Sequence, residues 1–219
     1  MKPTKLASAI CLTGALALSL PASAASALFS GFGLPSSDPL LSGATVVDFS
    51  AVAAGTYTSL SVGNVTFGGG NGNFVITDSL AGSYNTQGRN FQNLQGQGST
   101  SILNFSFSAP VSAFGFNFGA SNEDWRLDAF DAANNLLDSQ IITQTWFSNA
   151  GDYFGMATSG IASARLTQLT HVNDAGVDWI LMDNFSISGQ SINVPEPESL
   201  LLAGLGLAAL ALSRHKWHR

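Results

Sequence analysis

Catalysis and metal binding need polar side chains that converge, and this chain offers few of the usual kinds. His171 is the only histidine between residues 25 and 193, which excludes a two-histidine metal site, and its surroundings, Thr170-His-Val-Asn-Asp174, read as a polar loop. Cys11 is the single cysteine and lies in an apolar run near the start, so residues 25–193 have no disulfide, thiol nucleophile or thiolate ligand. No Gly-x-Ser-x-Gly elbow surrounds any serine. Gly68-Gly-Gly-Asn-Gly-Asn73 resembles one unit of a calcium-binding nonapeptide repeat. It occurs once and lacks the aspartate, so a turn is the better reading.

Carboxylates and aromatics remain. A glycoside hydrolase needs two carboxyl groups facing one sugar across roughly 5–9.5 Å, and the default for the acids here is a solvated loop position. Hard cations prefer oxygen ligands, and Asn122, Glu123 and Asp124 in one loop with Asp174 and Asp178 in another form one candidate set. Sugar binding uses an aromatic face, for which Trp125, Trp146, Trp179, Tyr84 and Tyr153 are the residues to weigh. Trp146 is the first choice, because Gln144-Thr-Trp-Phe-Ser148 lacks clean alternation and belongs at a strand end. Core packing is the competing reading for each of them.

The elements that would position these groups are short strands. Leu103, Phe105 and Phe107 alternate with Asn104, Ser106 and Ser108. After Ala109-Pro110 the period of two resumes at Phe114, Phe116 and Phe118, which predicts half-buried strands with an aromatic inner face. Further strands are expected at Thr45–Phe49, Leu60–Phe67, Asn73–Thr77, Tyr153–Ala157, Ala162–Leu169 and Trp179–Ser188. Trp125–Phe130 and Leu136–Ile142 flank Asp131-Ala-Ala-Asn-Asn135 as a hairpin. Residues 25–43 read as an irregular leader, and Ser79–Ser99, rich in Gly, Gln, Asn and Ser, as a long exposed loop or weakly packed edge. No helical stripe is sustained between residues 25 and 193. The expected fold is all-β: an antiparallel, jelly-roll-like β-sandwich over residues 44–190.

Charge narrows the partners. Of 14 Asp and Glu only Glu196 and Glu198 lie beyond residue 193, which leaves twelve acids in residues 25–193 against Arg89, Arg126 and Arg165, a net charge of −9. Nucleic acid and anionic surfaces are therefore poor partners. Positive charge sits instead at the two ends of the chain. Lys2 and Lys5 precede the apolar run Leu6–Leu20 and Ala22-Ser-Ala24, the pattern of a signal peptide over residues 1–24 cut by signal peptidase. Residues 200–212 carry no polar side chain and are followed by Arg214, Lys216 and Arg219. At about 1.5 Å per residue such a helix spans about 20 Å, short of the ~30 Å hydrocarbon core, so the interfacial basic tail has to help anchor it in the membrane.

Val194-Pro-Glu-Pro-Glu-Ser199, the apolar run and the basic tail together resemble the PEP-CTERM sorting signal of exosortase substrates. The resemblance implies an exosortase partner, a sorting motif at Val194, Pro195, Glu196 and Pro197, and a transmembrane helix with its tail anchor at Arg214, Lys216 and Arg219. Ala109-Pro-Val-Ser-Ala-Phe-Gly-Phe-Asn-Phe118, Leu127–Leu136 and Val177–Ser186 resemble the jelly-roll, galactose-binding-like domains found ahead of such signals. That second resemblance implies that first and last strands come together, with a structural calcium held by Asp48, at the end of the first strand, and Asp183, in the last.

The function expected on these grounds is an exported, non-enzymatic cell-surface or exopolysaccharide-associated protein of a Gram-negative bacterium, with polysaccharide as its ligand. The alternative is a secreted carbohydrate-active hydrolase or its binding module.

Overall fold

A computed structural model describes residues 26–93, 99–169 and 177–189. The signal-peptide region, His171, Asp174 and the sorting signal with its anchor lie outside the described residues. Twelve strands occur among the described residues: β1 Ala27–Gly31, β2 Thr45–Val47, β3 Gly55–Tyr57, β4 Ser59–Val62, β5 Val65–Gly69, β6 Phe74–Thr77, β7 Asn90–Asn93, β8 Ile102–Gly119, β9 Trp125–Phe130, β10 Leu136–Ile142, β11 Tyr153–Gln168 and β12 Leu181–Ser188. All the pairings between them are antiparallel.

Two long strands make the sandwich. The first half of β8 lies between β5 and the second half of β11, which continues to β9 and β10. The second half of β8 lies between the first half of β11 and β12, and from there the layer runs on to β7, β6 and β3. Each run that the sequence separates at Ala109-Pro110, and again between Ala157 and Ala162, is thus one strand that bends from layer to layer. The physical cause is visible at the corner. Pro110 has no N–H for the ladder, Gly160 takes φ +81°, and the β8–β11 register shifts on both sides of the Val111–Ile161 pair.

The phenylalanine faces meet inside. Phe67 of β5 packs on Phe91 of β7 and Phe185 of β12, while Phe105 reaches Phe116 and Phe185 at ring-centroid distances of 5.8 and 5.1 Å. Every Phe expected to point inward on β8 is buried. In the second half of β8 the opposite face is buried as well, because β1 and two 3-10 turns, Pro35–Ser37 and Pro39–Leu41, cover it with Phe29 and Leu41 beside Ala113 and Tyr153. Residues 27–31, expected to be part of an irregular leader, therefore form a strand on β11. A glycine on the facing strand is a packing requirement: a Cβ on Gly155 of β11 would fall 2.3 Å from the Phe29 ring.

The largest departure from expectation is β7. Asn90-Phe-Gln-Asn93 falls within the presumed exposed loop, yet all four residues are buried inside the sheet. Their amides are satisfied. Asn93 donates Nδ2 to the Thr100 and Asp178 carbonyls at 3.1 and 2.6 Å and accepts the Ile180 N–H at 2.7 Å. Asn90 and Gln92 bond to each other and share the Ser79 carbonyl. Burial of an amide is tolerable when its hydrogen bonds are made, a condition that hydropathy does not register.

Candidate functional site

The end of the sandwich where β8 finishes and β12 begins gathers loops 78–89, 120–124 and 143–152. Backbone strain concentrates there: Leu80, Tyr84, Asn85, Ala120 and Trp146 all have positive φ. Such conformations cost of order 1–3 kcal/mol each unless the surroundings enforce them. Two asparagines do so. Asn85 donates Nδ2 to the Phe118 carbonyl at 2.8 Å and accepts the Gly151 N–H at 2.8 Å. Asn117, buried on β8, donates to the Gly33 and Gly151 carbonyls at 2.8 and 2.9 Å and accepts from Asn184 at 2.9 Å. Gly119 is required by close approach, since a Cβ there would lie 1.8 Å from the Tyr84 carbonyl oxygen.

Between these loops lies a cleft of about 250 Å³, walled by residues 82 and 85–87 on one side, 149–151 on the other, with Gly33 and Asn117 completing it. The wall consists of Asn, Gln, Thr, Ala and Gly, with no ionisable side chain. Aromatic residues flank its wall along the chain, Tyr84 beside Asn85 and Phe147 two residues before Asn149. Phe147 is 78% exposed, and Trp146, two residues from Ser148, is 51% exposed, with its indole Nε1 donating to Gln144 at 2.9 Å. Tyr84 and Trp179 are half-buried. Trp125 and Tyr153 are core residues instead, Trp125 donating Nε1 to Asp178 at 2.9 Å and Tyr153 its hydroxyl to Asp38 at 3.0 Å.

The acids sort by environment. Asp178 is buried and accepts the Asn122 and Glu123 N–H groups at 3.1 and 3.3 Å as well as the Trp125 indole. Burial pushes its carboxyl up from the ordinary range, and these hydrogen bonds, with one from Ser121, pull the other way. It pins the 120–124 loop through donors that suit an anion. Of the candidate oxygen-ligand set, Asn122 and Glu123 thus turn backbone N–H groups toward Asp178.

Asp183, 1% exposed, is pushed up by burial, against hydrogen bonds from the Gln87, Asn184 and Gly88 backbone, with the negative charge of Asp48 adding to the rise. Its oxygens accept Gln87 N–H at 2.9 Å and Asn184 N–H at 2.7 Å. Asp48 is exposed and held low by the Ser50 hydroxyl and N–H. The fold brings Asp48 and Asp183 within electrostatic reach, because β2 pairs with β12. N–H groups nevertheless surround Asp183, and no group of three His, Cys, Asp or Glu converges among the described residues. This donor set fits a buried carboxylate better than a cation.

The three arginines of the domain are committed elsewhere. Arg89 grips Asp78 through Nε and Nη2 at 2.9 and 2.7 Å, Arg126 bonds Asp128 at 2.9 Å, and Arg165 lies over the Phe130 ring at 5.3 Å. Among the wall residues, sequence reasoning missed Asn85, Gln87, Asn117 and Asn149. Three of them look like ordinary loop residues. Asn117 alone carries a signal, an amide on the off-face of a strand whose neighbouring off-face residues are Ala113 and Gly115.

The described residues form an all-β sandwich with a polar cleft whose wall carries no ionisable side chain, and the chain's terminal segment supplies the more specific assignment. Residues 193–215 match the PEP-CTERM protein-sorting motif, which marks the chain as an exosortase-sorted surface protein, anchored at its C-terminal end before cleavage. No curated protein matches. Among solved structures, a DUF4465 family protein from Bacteroides caccae is similar at 9% identity and TM-score 0.40, over 73% of this chain and 100% of that one. The K3 cleaved adhesin domain of Lys-gingipain from Porphyromonas gingivalis is similar at 11% identity and TM-score 0.34, over 66% of this chain and 98% of that one. The enzymatically active domain of tailspike protein 4 of bacteriophage CBA120 is similar at 16% identity and TM-score 0.28, over 62% of this chain and 19% of that one. Similarity at this level supports neither the galactose-binding-like resemblance nor a ligand.

Proposed function

We propose that this chain is a non-enzymatic protein of the envelope or extracellular matrix of a Gram-negative bacterium, and that its sandwich domain binds polysaccharide at the cleft between residues 82–87 and 149–151. The observation that carries this reading is the make-up of that cleft: amide, hydroxyl and glycine backbone groups, on loops that also carry the contacting rings of Tyr84 and Phe147. Sugars are recognised by hydroxyl-to-amide hydrogen bonds and by contact of their C–H faces with aromatic rings. Glycoside hydrolysis needs two carboxyl groups facing one sugar, and no carboxyl group belongs to the cleft wall.

Exosortase supplies the only catalysis in this account, acting on the chain near Pro195–Glu198. Intact-mass measurement of the surface-located protein is expected to show loss of Leu200–Arg219. Glycan-array binding by the exported protein tests the rest. Retention on at least one polysaccharide without release of reducing sugar is the expected result. Sugar release abolished by changing one Asp or Glu would establish the hydrolase instead, and silence across the array would remove the binding role.

A further inference from the structure

The rings at the cleft end form a row. Trp179 is anchored at the inner end, donating Nε1 to Gln92 at 3.3 Å, and meets Tyr84 edge-on at 5.9 Å. Tyr84 in turn meets Phe147 at 6.2 Å. Exposure rises along the row, from the half-buried Trp179 and Tyr84 to the open Phe147. Tyr84 and Phe147 belong to the same two loops that wall the cleft, three and two residues from Gln87 and Asn149. Tyr84 holds its position at φ 52°, a left-handed conformation unfavourable for an aromatic residue, with Asn85 beside it at φ 67° stapling the loop to β8. Strain maintained at a half-buried aromatic beside a cleft is a mark of a functional surface.

Polar groups lie open beside the row. The Tyr84 hydroxyl, the Gln87 side-chain amide and Nδ2 of Asn149 have no hydrogen-bond partner among the described residues, although Asn149 Oδ1 accepts the Asn85 N–H at 3.3 Å. Charge selects among sugars. An anionic polymer would meet a domain of net charge −9 whose arginines are engaged with Asp78, Asp128 and the Phe130 ring. A cationic one would find no carboxylate in the cleft wall.

Resting on the polysaccharide reading above, we infer that Tyr84 and Phe147 are the stacking platform of this cleft and that its ligand is a neutral pyranose polymer. One sugar ring lies against the Tyr84–Phe147 pair, and its hydroxyls bond to Gln87, Asn149 and the Tyr84 hydroxyl. Trp146 is exposed but makes no ring contact with the row among the described residues, and its indole N–H is taken by Gln144, so it stands outside the platform.

Affinity electrophoresis of the full chain through gels containing dextran, mannan, galactan, alginate or heparin tests this. Retardation is expected in at least one neutral gel and in neither alginate nor heparin. Phe147→Ala, at an exposed ring, is expected to leave the melting temperature unchanged and to weaken retention roughly tenfold. Tyr84→Phe keeps the ring and is expected to lose roughly fivefold through the hydroxyl, while Trp146→Ala stays within about twofold of the parent. Preference for alginate or heparin overturns the neutral class and leaves the polysaccharide reading standing. Retention lost in Trp146→Ala and kept in Phe147→Ala overturns the platform alone. No retention in any gel overturns both.

Discussion

Strand β7 and the inner face of β8 are both buried and held by opposite chemistry. In β8 the inner face is phenylalanine from Phe105 to Phe118, and its stability comes from apolar surface removed from water and from ring contacts. In β7 only Phe91 plays that part, while Asn90, Gln92 and Asn93 are held by hydrogen bonds to one another and to the backbone at Ser79, Thr100, Asp178 and Ile180. An apolar strand tolerates a range of neighbours of suitable size. A polar strand needs each partner in place, so β7 ties the 99–100 and 177–180 segments together more specifically than another phenylalanine face would.

That contrast can be broken by mutation. Phe105→Ala or Phe116→Ala removes a fully buried ring and should cost about 3–5 kcal/mol in chemical denaturation. An unmoved curve would mean that β8 is not the apolar half of the pair. Asn93→Ala strands two carbonyls and one N–H in the interior, and a loss of about 1–3 kcal/mol is expected from the same measurement. Asn93→Leu, which restores apolar area, should fail to recover that loss if hydrogen bonds hold β7, and full recovery would erase the distinction.

A third test uses pH. Burial raises the Asp183 carboxyl above its unfolded value, so the stability tied to its protonation is fully present below the unfolded pKa, near 3.9, and is lost as pH rises through the folded pKa. Asp48, Asp78 and Asp131 are shifted down and act in the opposite sense. They are common to parent and Asp183→Asn, so their effect largely cancels in the difference. Melting temperatures of the two proteins from pH 7 to pH 4 should therefore diverge in favour of the parent as the solution is acidified. A gap that is constant with pH would remove Asp183 as the source. The smallest effect belongs to the rim: Phe147→Ala should change stability by no more than about 0.5 kcal/mol, because the ring is open to solvent.

What was legible in the sequence follows the same division. The Phe alternation at 103–107 and 114–118, and the 125–142 hairpin around Asp131–Asn135, announce themselves because burial of apolar side chains on one strand face imposes a period of two. Continuity of β8 through Pro110 was hidden, since proline reads as an ending whereas here it marks a bend between layers. Strand β7 was hidden for a deeper reason. Asn-Phe-Gln-Asn has the composition of a loop, and only the partners at Ser79, Thr100 and Ile180, distant in sequence or brought in by folding, make it interior. The cleft shares that cause. Asn85, Asn117 and Asn149 act as a set, and a set assembled from two loops and one strand leaves little local spacing to read.

Strand β12 has one further consequence. It starts beside the cleft, with Leu181 and Asp183 opposite Gly119 and Asn117, and ends at Ser188 opposite Ala113, where Gly189 accepts a hydrogen bond from Ser112. At about 3.3 Å per residue, its eight residues separate the two ends of the sandwich by about 25 Å. The sorting signal follows the far end. The described chain therefore leaves the sandwich at Gly189, one strand length from the aromatic row that stands at the other end of β12.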